Sequence, residues 1–529
     1  MTSIGETLVA QLALRDVDCV FGIPGVHTIE LYRGLAGSGI RHVTPRHEQG
    51  AGFMADGYGR VAGKPGVAFV ITGPGLTNTL TAMAQARADS APMLVVSGMN
   101  MSATIGKGLG CLHELPNQQA LARSVALVSE RVLKPEDLAP ALDAAFAPFT
   151  NGRAGPTHID VPLDIAGQAF EGKMPAANHI THPAPDNVGV GMAIAHLQQA
   201  RCPVIIAGGG ARQCGDAIQA LAERIGAPVI LTANARGVMH GHDLCVPASP
   251  SLDAVRRLIN ASDMVLALGT ELGPTDYDMY SSEIALDMAQ FVRVDVCAEQ
   301  LARHDVGVAV QGDVATVLEK IDARLGAVTA DTTSATRAKV TRDAALNELA
   351  DDMRALNGVL NTMRDTVSNA IMVGDSTQVI YAGNLYFDHD RAGGWFNAST
   401  GFGALGFAIP AAIGAQIAAP DARVICIAGD GGAQFSLPEV MVAVDEKLPI
   451  IFVIWNNHGY QEIATSMQNV DISVVGCDPT PPDFSATAAS FGIPFHRCDV
   501  DNFGAALAKA CDENTAVMIE VIAVNLAHK

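Results

Sequence analysis

Gly429-Asp430-Gly431 ends one apolar run, Arg423 to Ala428, and Asn456-Asn457 ends the next, Pro449 to Trp455. Both runs are short and rich in β-branched residues, which reads as buried strand rather than helix. Two such strands laid parallel bring a carboxylate and a side-chain amide to one edge of a sheet, where α/β folds bind ligands. The donor set at that edge is oxygen throughout. Asp430, the Asn457 amide oxygen and the Gly459 carbonyl are three hard ligands of the type magnesium takes, with phosphate oxygens and water filling the rest of its octahedron. Taken singly, a Gly-Asp-Gly is usually a turn and an Asn-Asn usually a loop. Their joint position at two strand ends points instead to a parallel α/β layer whose edge could hold a metal and an anion.

The same punctuation recurs along the chain. Val17 to Phe21 runs into Gly22-Ile-Pro-Gly25, Gly66 to Thr72 into Gly73-Pro-Gly75, and Pro92 to Ser97 is a third strand-like run. Glycine-rich exits of this kind are expected where parallel strands present binding loops. Three α/β segments follow: 1–170, closing with the strand Gly152 to Pro162; 190–325, with strand-like runs at Pro203, Met264 and Phe291; and 357–529. A Pro/Ala/His-rich linker near 175–185 separates the first two, and one helical stretch from Arg337 to about Leu356 precedes the third. At 529 residues with 49% hydrophobic and 17% charged residues, the chain is long enough for about three cores and too apolar for extended disorder.

Two further stretches extend the pattern. In Arg46-His-Glu-Gln-Gly-Ala-Gly-Phe-Met-Ala-Asp-Gly-Tyr-Gly-Arg60, Glu48 opens a small-residue segment that reads as a helix, where a first-turn carboxylate is also favourable for the dipole alone. The second is Gly401-Phe-Gly-Ala-Leu-Gly-Phe-Ala-Ile-Pro-Ala-Ala-Ile-Gly414. Together with Asp430 and Asn457 these resemble the motifs of thiamine-diphosphate enzymes of the acetolactate synthase and 2-oxo acid decarboxylase superfamily. The resemblance implies a pyrimidine-binding, a middle and a diphosphate-binding domain. It implies thiamine diphosphate and Mg²⁺ as cofactors, the metal on Asp430, Asn457 and Gly459, with Gly429 and Gly431 beside the diphosphate. Glu48 is then the carboxylate that bonds N1′ of the aminopyrimidine and promotes loss of the thiazolium C2 proton. Leu405 is the apolar prop between the rings, and the Gly403 carbonyl accepts from the 4′-amino group. FAD is not expected, since its sole support is Gly208-Gly-Gly210 and no Arg-Phe-Asp-Asp-Arg-like run follows Leu268.

The implied reaction is decarboxylation of a 2-oxo acid, with the cofactor as electron sink. For proton handling the candidates are His27, at a strand exit, and His113 in Cys111-Leu-His-Glu114, because histidine titrates near neutrality. His47 is expected to support Glu48 without facing the site, and His42 and His158 to be structural. Over the first 115 residues the likeness narrows to the 2-ketoarginine (5-guanidino-2-oxopentanoate) decarboxylases. A guanidinium tail calls for a carboxylate partner; Glu114, Glu462 and Asp276 are the candidates, each equally readable as a solvated acid. The rival reading, an acetolactate-synthase-like carboligase, needs a cation for a second 2-oxo acid, such as Lys107 or Arg236.

Charge narrows the partners. A net charge of −21 argues against nucleic acid and against an anionic membrane surface. The Met1-Thr-Ser-Ile-Gly-Glu6 start lacks a signal-peptide pattern, no run of 18 apolar residues occurs, and ten scattered cysteines fit a reduced, cytoplasmic protein. With Glu48 on one segment and Asp430 on another, the cofactor must lie across a domain interface. In the family that interface joins two subunits, so a homodimer or homotetramer is expected.

Overall fold

The computed structural model describes residues 2–171, 176–177, 182, 184–277 and 283–523. Most of the linker expected near 175–185 lies outside them. Three six-stranded sheets, every pair parallel, correspond to the three segments. Their inner strands are near-continuously buried, as sheets covered by helices on both faces require, while edge strands such as 308–311 and 495–499 are partly exposed. The first sheet orders its strands 41–43, 19–22, 66–70, 93–99, 156–162, 128–131. The middle sheet runs 308–311, 291–295, 264–268, 203–207, 229–231, 245–246. The third runs 395–397, 371–374, 424–429, 451–456, 517–522, 495–499.

The first segment closes on itself: Phe170 N donates to Thr2 O at 2.9 Å and Ile4 N to Gln168 O at 2.9 Å. The helical stretch before the third segment is two helices, Ser334–Glu348 and Asp351–Thr366, rather than one. Leu349 turns to extended backbone and is buried against the middle domain, while Asp351 and Asp352 supply the first-turn charge that favours a new start. From Leu356 onward the second of these helices packs into the third domain.

The first and third domains share one core, in which Phe21, Phe53 and Met54 meet Phe407, Ala411 and Phe452. Its centre is the crossing of helix Glu48–Ala62 with helix Ala408–Ala418. A Cβ at Gly57 would lie 2.0 Å from Ala411 O, and one at Gly414 would lie 1.9 Å from Met54 O. Only glycine lets these backbones approach so closely, and that approach fixes the helix that Glu48 opens. Among the described residues no helix is long and apolar enough to cross a membrane.

Candidate active site

The register Gly429↔Trp455 sets strand Val424–Gly429 beside Ile451–Asn456, so Asp430 and the two asparagines leave adjacent strands at one level. The asparagines divide the work. Asn456 turns back into the sheet, donating to Glu520 Oε1 at 2.7 Å and accepting from His458 N at 3.1 Å. Asn457 faces Asp430. Its Nδ2 donates to Gln378 Oε1 at 3.1 Å. That leaves its Oδ1 3.2 Å from Asp430 Oδ1 and 2.9 Å from Gly459 O. Three oxygens thus converge with no proton among them, which is repulsive in a protein alone and is what a hard cation requires. With the amide turned, its nitrogen would instead donate to Asp430 Oδ1 at 3.2 Å and Gly459 O at 2.9 Å and its oxygen would lie 3.1 Å from the Gln378 amide, so the Asn457 amide, the Asp430 carboxylate and the Gly459 carbonyl converge in either orientation. Asp430 is 1% exposed, its Oδ2 has no hydrogen-bond partner among the described residues, and burial raises its carboxyl above the usual range. Both observations fit a bound divalent ion, drawing on amide and carbonyl oxygens; no cluster of three His, Cys, Asp or Glu side chains suited to a metal occurs among the described residues.

Gly459 is bound to its place by geometry. At φ 138° a Cβ would lie 2.2 Å from Cys477 O, the acceptor of Tyr460 N at 2.8 Å. Around these oxygens lies a cavity of about 290 Å³ lined by Thr377, Gln378, Tyr381, Gly403, Leu405, Gly429, Gly431 and Glu462, among others. The expected Gly403, Leu405, Gly429, Gly431, Asn457, Gly459 and Glu462 all line this cavity. Asp375, 1% exposed, holds the Leu405 loop: its carboxylate accepts from Gly406 N at 2.8 Å and Ser376 N at 2.9 Å. Burial pushes it up to about 6. It lies in Met372-Val-Gly-Asp375, where a strand-end aspartate is the available signal.

The first domain contributes a second cluster. Glu48 is partly buried, and Asn78 Nδ2 donates to its Oε2 at 3.0 Å. His47 does not face it; the His47 ring accepts from Gln49 N at 3.1 Å and caps the helix. His27 and His113, far apart in sequence, come together with ring centroids 5.5 Å apart. Two glycines admit them: a Cβ at Gly98 would lie 2.5 Å from His27 O, and one at Gly73 would lie 2.4 Å from His113 O. His27 Nδ1 is buried without a partner among the described residues, and burial, then the nearby His113, lowers its affinity for a proton. Gln118, fully buried, was missed by sequence reasoning. It accepts from Thr72 Oγ1 at 2.6 Å and Gly73 N at 3.0 Å, and donates to Ser97 Oγ at 3.1 Å, so it holds the loop against which His113 rests. His158 bonds Ser97 and Ser129 at 2.8 Å each, and His42 bonds Gly22 O at 3.0 Å, both as structural groups.

The three candidate acids separate. Glu114 accepts from Gly108 N, Leu109 N, Gly110 N and Cys111 N at 2.8 to 3.3 Å, and these hydrogen bonds hold its carboxyl below the usual range. Asp276 lines a different cavity of about 820 Å³ at the edge of the middle sheet, where it accepts from Ala233 N at 3.3 Å. Glu462 alone of the three lines the Asp430 cavity. In the middle domain, Gly208 N and Gly210 N donate to Leu268 O and Gly269 O at 2.9 and 3.0 Å, so these amides serve the sheet edge. Arg236 is fully buried and donates to Leu231 O and Asn384 O at 2.6 and 2.8 Å.

The chain matches three family models: the N-terminal TPP-binding domain of thiamine pyrophosphate enzymes over residues 2–121, the central domain over 190–321 and the C-terminal TPP-binding domain over 375–521. It is 38% identical to the probable 2-ketoarginine decarboxylase AruI of Pseudomonas aeruginosa, across 98% of this chain and 93% of that one. It is 29% identical to the acetolactate synthase isozyme 1 large subunit of Escherichia coli, across 94% and 89% of the two chains. To the acetolactate synthase large subunit of Parasynechococcus marenigrum it is also 29% identical, across 98% and 88%. The oxygen cluster around Asp430, the Glu48 helix and the end-to-end similarity agree, and the chain belongs to the thiamine pyrophosphate enzyme family.

Proposed function

We propose that the protein decarboxylates a 2-oxo acid to an aldehyde with thiamine diphosphate and Mg²⁺, and that its substrate is 5-guanidino-2-oxopentanoate (2-ketoarginine). The observation that carries this reading is the convergence of Asp430 Oδ1, Asn457 Oδ1 and Gly459 O in a cavity whose other carboxylate is Glu462. When bound, thiamine diphosphate supplies a carbon nucleophile and an electron sink for loss of CO₂. Asp430, Asn457 and Gly459 would hold the metal, which would supply positive charge for a diphosphate. Gly403 and Leu405 support the rings. Glu48, kept in orientation by Asn78, bonds the aminopyrimidine and sets its proton balance. His27 and His113 move protons on the substrate side; burial, then the nearby His113, disfavours the protonated form of His27. Glu462 has no ion-pair partner among the described residues, and a guanidinium is the cation that pairs with a carboxylate in bidentate fashion.

The Asp430 cavity is lined by residues 376 to 463 and by none of the first domain, whereas Glu48 belongs to the first domain. A complete site then needs Glu48 from a second copy, as a homodimer or homotetramer supplies. Apolar residues stand exposed near both halves, Leu109 (62%) and Leu112 (64%) on one and Ile463 (52%) and Val475 (72%) on the other, as an interface would leave them. The acetolactate synthase relatives support a carboligase as the alternative. Of the two cations suited to its second substrate, Arg236 is already bonded to backbone carbonyls, leaving Lys107.

The test is CO₂ release with product identification, offering pyruvate and 2-ketoarginine separately to the Mg²⁺- and thiamine-diphosphate-loaded protein. A guanidino-aldehyde from 2-ketoarginine is the expected product. Acetolactate from pyruvate would move the protein to the carboligases.

A further inference from the structure

Glu439 belongs to the third domain, yet its carboxylate is spent on the first. It is 2% exposed and forms no ion pair within 4.0 Å among the described residues. Arg46 N donates to its two oxygens at 3.1 and 3.0 Å, and His47 N to Oε1 at 2.9 Å. These two amides immediately precede Glu48. The contact is close-fitting, since a Cβ at Gly50 would lie 2.2 Å from Glu439 Oε1. At the rim of the same contact Arg46 pairs with Asp445 and Arg41 with Glu446, and Arg46 is the charged side chain that acts on Glu439, while the His47 ring and the Glu48 carboxylate bond Gln49 N and Asn78. The amides that enter a helix have no intrahelical acceptor, and a buried carboxylate bonds them more strongly than a neutral cap does.

We propose that Glu439 is a positioning residue for Glu48: by fixing the backbone at 46–47 it fixes where the Glu48 carboxylate points, while Asn78 holds the side chain. Burial pushes Glu439 up to about 7. A group kept under such a penalty is costly to retain as mere packing, because a well-packed apolar residue would carry none of it.

The inference rests on Glu48 being the carboxylate that bonds the aminopyrimidine, so Glu48→Gln runs beside the test variants. Glu439→Gln keeps shape but presents an amide to two N–H donors. Gly50→Ala keeps the charge but pushes the carboxylate off them. The readouts are the deuterium exchange rate at C2 of bound thiamine diphosphate, cofactor affinity, and kcat against KM. Both variants are expected to slow exchange and kcat together by roughly 10–100-fold, with KM and cofactor affinity within about twofold. Exchange at the parent rate in a folded Glu439→Gln, with Glu48→Gln silent, would overturn the positioning role and leave the proposed function standing. Parent-rate exchange in Glu48→Gln would instead remove the reading on which both depend.

Discussion

The first and third domains run their six strands in the same order, counted along each as second, first, third, fourth, sixth, fifth. In each, the helix after the second strand is the one that crosses its counterpart, Glu48–Ala62 against Ala408–Ala418. Their exits carry different chemistry. After the first and third strands the first domain has Gly22-Ile-Pro-Gly25 and Thr72-Gly-Pro-Gly75, loops without charge, and sets beside them Glu48, His27 and His113. At the corresponding exits the third domain has Asp375 and Asp430, one gripping the Leu405 loop and the other facing Asn457. The middle domain, with its own strand order, donates its glycine amides back to its sheet. One topology can therefore present either kind of chemistry: the residues at the strand ends decide whether it offers titratable side chains or converging oxygens.

The sharpest break of that comparison is Asp430→Ala against Glu48→Gln. Removing the buried carboxylate that faces Asn457 leaves two neutral oxygens for the cation. Mg²⁺-dependent binding of thiamine diphosphate is expected to fall by at least ~100-fold, with turnover lost. Titration by calorimetry at several Mg²⁺ concentrations reads it, and unchanged affinity would put the metal elsewhere. Glu48→Gln should bind cofactor nearly as the parent does and lose about 10²–10⁴-fold in C2 proton exchange. If both variants lost affinity alike, the division of labour between the domains would fail.

Glu462→Gln probes the substrate side, with a smaller effect. Loss of one charge-assisted pair costs about 1.5–3 kcal/mol, so kcat/KM for 2-ketoarginine should fall roughly 10–100-fold while any turnover of pyruvate is unchanged. Equal losses on the two substrates would mean that Glu462 acts on the metal end of the cavity.

The strand–glycine punctuation made the three layers legible, because a parallel strand buried on both faces is apolar along its length and needs polar or small residues only where it stops. The convergence of Asp430, Asn457 and Gly459 was legible for the same reason, as was the place of Gly403 and Leu405 in the cavity lining. Nothing in a one-dimensional pattern says where a carboxylate points. Glu114 and Glu462 look alike as acids beside motifs, yet one is consumed by four amides of its own loop and the other lines the cavity. His27 and His113 each stand out in the sequence; their pairing depends on Gly73 and Gly98, whose role is visible only once two loops approach. Glu439 carried no signal beyond a proline before it, since its partners are backbone amides nearly 400 residues away in the chain. The break at Leu349 was likewise hidden, because helix propensity is local and the burial that interrupts it is not.

The smallest effect concerns the seam between the two domains. Glu439 is raised by burial to about 7 from an ordinary value of 4.5, so the folded protein holds its proton over a range where the unfolded chain has released it. Stability then falls as pH rises from about 4.5 to about 7 and is level above, by on the order of 1–3 kcal/mol from this group. Glu439→Gln cannot titrate, so the difference in unfolding free energy between parent and variant, followed by urea denaturation from pH 5 to 8, should shift toward the variant as pH rises and then stay constant. Asn78, the neutral partner of Glu48, provides the control: Asn78→Ala should give a pH-independent offset. A difference between the parent and Glu439→Gln that is also flat would mean the carboxylate is ionised throughout, with the Arg46 and His47 amides outweighing burial at the domain seam.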